Sequence, residues 1–232
     1  MSAALRWLPQ GTVYGALLNF RREWDLWAPQ MTEAPYKAAP QAPVLYIKTA
    51  NTFAPCGAAI AVPDEVDVGA TLGLVIGGFE EKLPPALAES AQAATKKEAG
   101  GLHRIAGCVL LNDLSLPHAS YYRPPIKFRN RDGFLGCGPV LQAVPDLSTL
   151  ALELRINGTL AQRIELSTLV RDAATLLRDV SEFTTLQAGD VLMLGTDCLP
   201  DGTRPRAKAG DRIEIRAPDF APLVNTLVED AA

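Results

Sequence analysis

The residues with the most chemistry to offer lie between Ala106 and Pro139, in the stretch AGCVLLNDLSLPHASYYRPPIKFRNRDGFLGCGP. An apolar run, Cys108-Val109-Leu110-Leu111, ends at Asn112-Asp113, so a strand here is expected to deliver a carboxylate at its end. Arg123, Lys127, Arg129 and Arg131 follow, interleaved with Tyr121, Tyr122 and Phe128. Asp132-Gly133 then supplies a turn, because Asp bonds its own backbone and Gly accepts positive φ. One acid, several cations and a tight turn beside a buried strand suit a small anionic ligand, since guanidinium groups bind carboxylates bidentately. The same composition also fits a strand followed by a solvated basic loop. His103 and His118 flank the stretch, and His118, nearer Asp113 in sequence, is the better acid–base candidate of the two.

Whole-chain totals narrow the partners. With 232 residues the chain can bury a substantial core as one large domain or two small ones. A hydrophobic content of 48% with 21% charged residues excludes disorder. The net charge of −4 gives no general attraction for nucleic acid, so the basic segment is local and better matched to a carboxylate-bearing small molecule. The four cysteines (Cys56, Cys108, Cys137, Cys198) contain no Cys-x-x-Cys pair, and with two histidines they give no zinc-like spacing. No apolar run reaches the length of a membrane span, and the first fifteen residues lack a secretory apolar segment. The expectation is a reduced, cytoplasmic protein with neither nucleic acid nor membrane as partner.

Several elements must position these groups. Alternating or apolar runs predict strands at Thr12–Leu18, Val44–Lys48, Ala58–Val62, Thr71–Ile76 and Leu152–Ile156, the last returning through an Asn157-Gly158 hairpin. Leu186 to Gly195 turns at Gly189-Asp190 into a further strand, and Arg212–Arg216 alternates with Ile213 and Ile215 inward. Ser167 is the expected cap of a helix carrying Leu169, Val170, Ala173, Leu176, Leu177 and Val180 on one face. A second helix is expected from Pro84-Pro85 to about Lys97. Between Phe20 and Pro43, prolines and two tryptophans predict a short helical turn and an extended loop, with Trp24 and Trp27 either forming a lid or pinning the loop to the core. The fold class is α+β: many short strands with a few peripheral helices. Residues 1–42 form an N-terminal strand and lid-like segment, and 43–232 a single globular unit.

The pattern Asn-Asp-x-Ser (Asn112 to Ser115), Lys-x-Arg-x-x-Asp-Gly-Phe (Lys127 to Phe134) and Gly138-Pro139 resembles the heart of the fumarylacetoacetate hydrolase family. The likeness runs from Gly11 to Asn225. It implies a β-roll fold and decarboxylation or isomerisation of a small 2-oxo di- or tricarboxylate from aromatic-ring catabolism. It also implies Lys127, Arg129 and Asp132 as catalytic positions, Arg123, Gly195 and Thr196 as substrate contacts, and Asp113 as a ligand to Mg²⁺ or Mn²⁺.

The chain departs from that pattern in two places. Gly69 and Thr71 stand where the family's Glu-x-Glu pair would complete the carboxylate cluster a hard cation needs, so the site is expected to bind metal weakly or not at all. Asp67 has the right strand parity but sits one repeat away, roughly 6–7 Å. In the family's lid motif Asn19-Phe20 matches the start, but Glu23 replaces the His and Leu26 the Glu. Arg129 in place of a lysine cannot act as a general base and favours gripping an anion. Two roles follow: a catalytic subunit of a decarboxylase/isomerase, or a non-catalytic unit supporting a metal-bearing paralogous partner. The expected assembly is a homodimer or that heterodimer.

Overall fold

Two long antiparallel strands, β5 (Val66–Ile76) and β6 (Ile105–Ser115), form the spine of the protein. The computed structural model describes residues 7–34, 37–77, 105–118, 126–138 and 144–230. The ladder of β5 and β6 runs unbroken from Asp67 opposite Ser115 to Val75 opposite Gly107. Here the structure corrects the sequence expectation twice. β5 begins at Val66 rather than Thr71, and β6 passes through Asn112-Asp113 instead of stopping there. Ladder hydrogen bonds use backbone groups alone, so two polar side chains do not interrupt them while both strands remain paired.

Around this spine an eight-stranded sheet assembles in the order β2-β1-β10-β5-β6-β7-β3, with β11 also paired to β5. Its members are β1 (Val13–Leu17), β2 (Val44–Lys48), β3 (Phe53–Pro55), β7 (Leu135–Cys137), β10 (Val191–Met193) and β11 (Arg206–Ala207). A five-stranded sheet, in the order β4-β13-β12-β8-β9, contains β4 (Ala59–Val62), β8 (Ala151–Ile156), β9 (Thr159–Glu165), β12 (Arg212–Arg216) and β13 (Leu223–Glu229). The short strands β3, β7 and β11, and β13, which pairs in parallel with the expected strand β4, were not anticipated; three of them are too short to show a period.

Strand parity divides the core in two. Even-numbered residues of β5 and β6, such as Leu72, Leu74 and Leu110, join Leu152, Ile213 and Ile215 of the smaller sheet. Odd-numbered residues, such as Val75, Val109 and Leu111, face a second cluster with Val13, Leu17 and Leu135. Helix α1 (Arg21–Met31) lies against that second cluster. It is longer than the short turn expected because Trp24, Trp27 and Met31 fall at i, i+3 and i+7 and seat together there. The tryptophans therefore pin this segment to the core.

The last helix starts later than expected. Asp172, not Ser167, is the N-cap of α3 (Ala173–Ser181), its carboxylate accepting from the Thr175 amide at 2.7 Å. Leu166–Thr168 form a single 3₁₀ turn, and a bridge between Phe20 and Leu169 holds the chain extended before the helix begins. A short helix, α2 (Ile126–Arg129), follows β6. The helix expected at 84–97 falls outside the described residues.

Candidate functional site

Asp113 lies on the odd face of β6, toward the tryptophan-bearing helix, and is 4% exposed. Opposite it in the ladder sits Gly69, and Thr71 lies one repeat along opposite Leu111. The three positions the family resemblance brings together thus share one face of adjacent strands.

What surrounds Asp113 is chiefly positive. Strand β2 places Tyr46 and Lys48 on its buried parity. The Lys48 ammonium is 2.8 Å from Asp113 Oδ1 and donates to the carbonyls of Leu114 (2.9 Å), Arg129 (2.6 Å) and Phe134 (2.8 Å). An ammonium has three hydrogens, and all three go to carbonyls, so Oδ1 meets its charge without a hydrogen bond. The Tyr46 hydroxyl donates to Oδ2. Arg129 stands 3.4 Å from the same oxygen, with its guanidinium carbon 4.5 Å from the Tyr46 ring centroid. Arg129 is 4% exposed, yet its Nε has no hydrogen-bond partner.

These contacts set the charge states. Burial alone would raise the Asp113 pKa, but Lys48 and Arg129 outweigh it and hold the carboxyl below its ordinary range. Burial, together with Asp113, lifts Tyr46 well above its usual value, so its hydroxyl keeps the proton it donates. Burial pulls Lys48 down, against Asp113.

A depressed carboxyl pKa stabilises the fold above the ordinary carboxylate range, and that stability is lost as pH falls through the folded value. The gap in urea-unfolding stability between the wild type and Asp113→Asn is therefore expected to be widest near neutrality and to narrow in acid. A gap independent of pH would mean that Asp113 contributes no charge-dependent stability.

A second cluster adjoins the first. Thr196 follows the end of β10, and a Cβ built on Gly69 would lie 2.5 Å from Thr196 Cγ2. Gly195 holds φ of +105°, and a Cβ there would lie 2.9 Å from the Ala16 carbonyl oxygen, so the turn requires glycine. Arg204 donates to the Thr196 hydroxyl, to the Asp197 carbonyl at 3.3 Å and to Glu23 Oε1 at 2.6 Å. The other Glu23 oxygen accepts from the Leu18 amide at 3.0 Å. Glu23 is 1% exposed, and burial lifts its pKa although Arg204 and the Leu18 amide oppose this.

Of the residues singled out from the sequence, Asp113, Arg129 and Thr196 come together here and Gly195 shapes the turn. Lys127 is exposed on α2. Asp132 is exposed and accepts from Asn51 Nδ2 at 2.7 Å, which fixes the turn before β7. His118 stacks on Phe128 with ring centroids 5.6 Å apart. Arg123 lies outside the described residues. Tyr46, Lys48 and Arg204 were not foreseen, although the i, i+2 parity of Tyr46 and Lys48 was available in the strand pattern.

The site does not fit a dication. Among the described residues no three His, Cys, Asp or Glu side chains cluster in a way that could hold a metal. The remaining carboxylate, Asp113, already faces an ammonium and a guanidinium, both of which repel a second cation. The methyl group of Thr196 fills the space over Gly69.

Residues 12–228 match the family model for the fumarylacetoacetate hydrolase C-terminal domain, and the chain belongs to that family. It is 37% identical over 224 residues to the 4-hydroxyphenylacetate degradation bifunctional isomerase/decarboxylase of Escherichia coli, and 35% identical over 223 residues to that of Salmonella dublin. Each alignment covers 95% of this chain but 48% of the relative, so the chain spans about half their length. Among solved structures, the 5-carboxymethyl-2-hydroxymuconate delta-isomerase of Mycobacterium smegmatis superposes with a TM-score of 0.69 at 24% identity, covering 97% of this chain and 79% of that one. A Sphingobium maleylpyruvate hydrolase, solved with manganese(II) and pyruvate, superposes at 0.65 with 19% identity, covering 95% and 71%. These two likenesses establish the fold. No helix among the described residues is long and apolar enough to cross a membrane.

Proposed function

We propose that this chain is one unit of a decarboxylase/isomerase acting on 5-oxopent-3-ene-1,2,5-tricarboxylate and its 2-oxoheptenedioate product in 4-hydroxyphenylacetate catabolism. Within that assembly it binds a small 2-oxo carboxylate without a dication, and a metal-bearing paralogous chain supplies the electron sink. The identity to the bifunctional enzymes supports the substrate class. The observation that carries the anion-binding role is Arg129, a buried guanidinium with an unpartnered Nε beside Asp113.

C2 of that tricarboxylate is linked through the C3=C4 double bond to the C5 keto group. Loss of CO₂ from C2 sends the bond's electron pair into a dienolate, whose charge needs a strong stabiliser. A dication would provide it by chelating the carboxylate and keto oxygens. In this chain Arg129 contributes N–H donors and a fixed positive charge, which orient a carboxylate but do not chelate it. Asp113, held ionised by its neighbours, is a weak base for a proton shift.

Purified alone, the chain is expected to leave the tricarboxylate unchanged in EDTA and in Mg²⁺, and to support turnover when the metal-bearing paralogue is added. Turnover by the chain alone, stimulated by Mg²⁺, would overturn the metal-free assignment. Silence in all three conditions would overturn the substrate. Independently of turnover, Arg129→Ala is expected to weaken oxalate binding by about 1.5–3 kcal/mol, the scale of a charge-assisted hydrogen bond. Calorimetric titration showing equal affinity would remove Arg129 from the site.

A further inference from the structure

The contacts of Glu23 resemble those of a bound ligand more than those of a surface ion pair. One oxygen takes an N–H from Arg204 and the other takes the Leu18 backbone amide, at 2.6 and 3.0 Å. The receiving half is assembled without Glu23. Arg204 is fixed by the Thr196 hydroxyl and the Asp197 carbonyl, and its side chain is 8% exposed. Leu18 presents its amide from a left-handed conformation, φ +57°, which a non-glycine residue adopts only when its surroundings impose it.

The carboxylate itself arrives on a separate element. Helix α1 carries Glu23 in its first turn, and the preceding residue, Arg22, ties that turn to the same loop through the Cys198 carbonyl at 2.7 Å and Asp197 at 3.2 Å.

We infer that Arg204, Thr196 and the Leu18 amide form a carboxylate-binding site which Glu23 fills from within, and whose external ligand is a small carboxylate. Arg204 and the amide hold the two oxygens, and Thr196 positions Arg204. An incoming ligand replaces Glu23 on Arg204, which requires the first turn of α1 to withdraw. Coupled to the proposed function, this makes α1 an internal competitor for a carboxylate group of the substrate. The site itself rests on geometry and not on turnover.

Acetate tests it directly, because Glu23→Ala deletes two carbons and two oxygens that acetate restores. Melting of Glu23→Ala is expected to rise saturably with acetate, by roughly 2–4 °C at saturation. Acetamide and equimolar chloride should leave it unmoved, as should acetate added to the wild type. The Glu23→Ala/Arg204→Met double variant should show no acetate response. If Glu23→Ala does not fold unaided, refolding recovered by acetate and not by acetamide is the expected result. No acetate-specific effect on melting or refolding, or one that persists without Arg204, would overturn the site. Because the readout is binding, such a failure would leave the substrate assignment standing.

Discussion

Replacing Lys48 with methionine is expected to cost about 3–5 kcal/mol of unfolding free energy, the range for removing one partner of a buried ion pair. The expectation rests on how much depends on a single ammonium. Lys48 is 1% exposed, faces Asp113 at 2.8 Å and satisfies three carbonyls, from β6, from the end of α2 and from the residue just before β7. Methionine preserves most of the side-chain volume, so the loss is electrostatic and not a cavity. It leaves Asp113 with Tyr46 and a more distant Arg129, and leaves three carbonyls without this donor. At roughly 2–4 °C per kcal/mol for a domain of this size, the melting temperature should fall by roughly 6–20 °C. Lys48→Met/Asp113→Leu separates charge from packing. If the penalty is an uncompensated buried carboxylate, the second substitution should restore a large part of the stability, since apolar replacements of whole buried pairs are often neutral. A Lys48→Met loss below about 1 kcal/mol in urea unfolding, the scale of an exposed pair, would mean that Lys48 is not the counter-charge of Asp113.

The sequence carried the spine and part of the site, and the physical reasons for the division are local. Asp113, Gly69 and Thr71 could be placed on one face because strand parity is a rule of the backbone, and the ladder pairs Gly69 with Asp113. Helix and strand ends were harder to place. Asn112-Asp113 reads as a break in isolation, yet β5 supplies a partner for every residue of that segment. Ser167 reads as a cap, but the bridge between Phe20 and Leu169 keeps the chain extended until Asp172. Lys48 ends an edge strand, where lysine is ordinarily solvated, and only the three converging carbonyls explain its burial. The contact of Arg204 with Glu23 joins residues 181 apart and leaves no local signature. Arg129 could be proposed as an anion-gripping residue from its type, but its burial against Tyr46 could not be read from the sequence.

Installing the missing acids, Gly69→Glu with Thr71→Glu, is expected to destabilise the chain by at least about 3 kcal/mol, as overpacking and burial of charge combine. Mg²⁺ is not expected to restore the loss. Completing a triad by parity alone suggests the opposite, since three carboxylates on one face are what a hard cation requires. Two observations decide against it. A Cβ at position 69 would sit 2.5 Å from Thr196 Cγ2 and 3.1 Å from the Asp113 carbonyl oxygen, so the strand-end loop must move before any carboxylate reaches the site. The new acids would also meet Lys48 and Arg129, which already neutralise Asp113 and would pair with them in place of a dication. Adding Thr196→Ala separates the two causes by removing the colliding methyl group while leaving the cations. The triple variant should regain part of the packing loss and still show no Mg²⁺-dependent rise in melting temperature. A saturable rise in either variant would show that the loop relaxes and the carboxylates outcompete the fixed cations. In that case the proposed inability of the site to hold a dication would rest on two side chains alone, and not on the cation cluster built around Asp113.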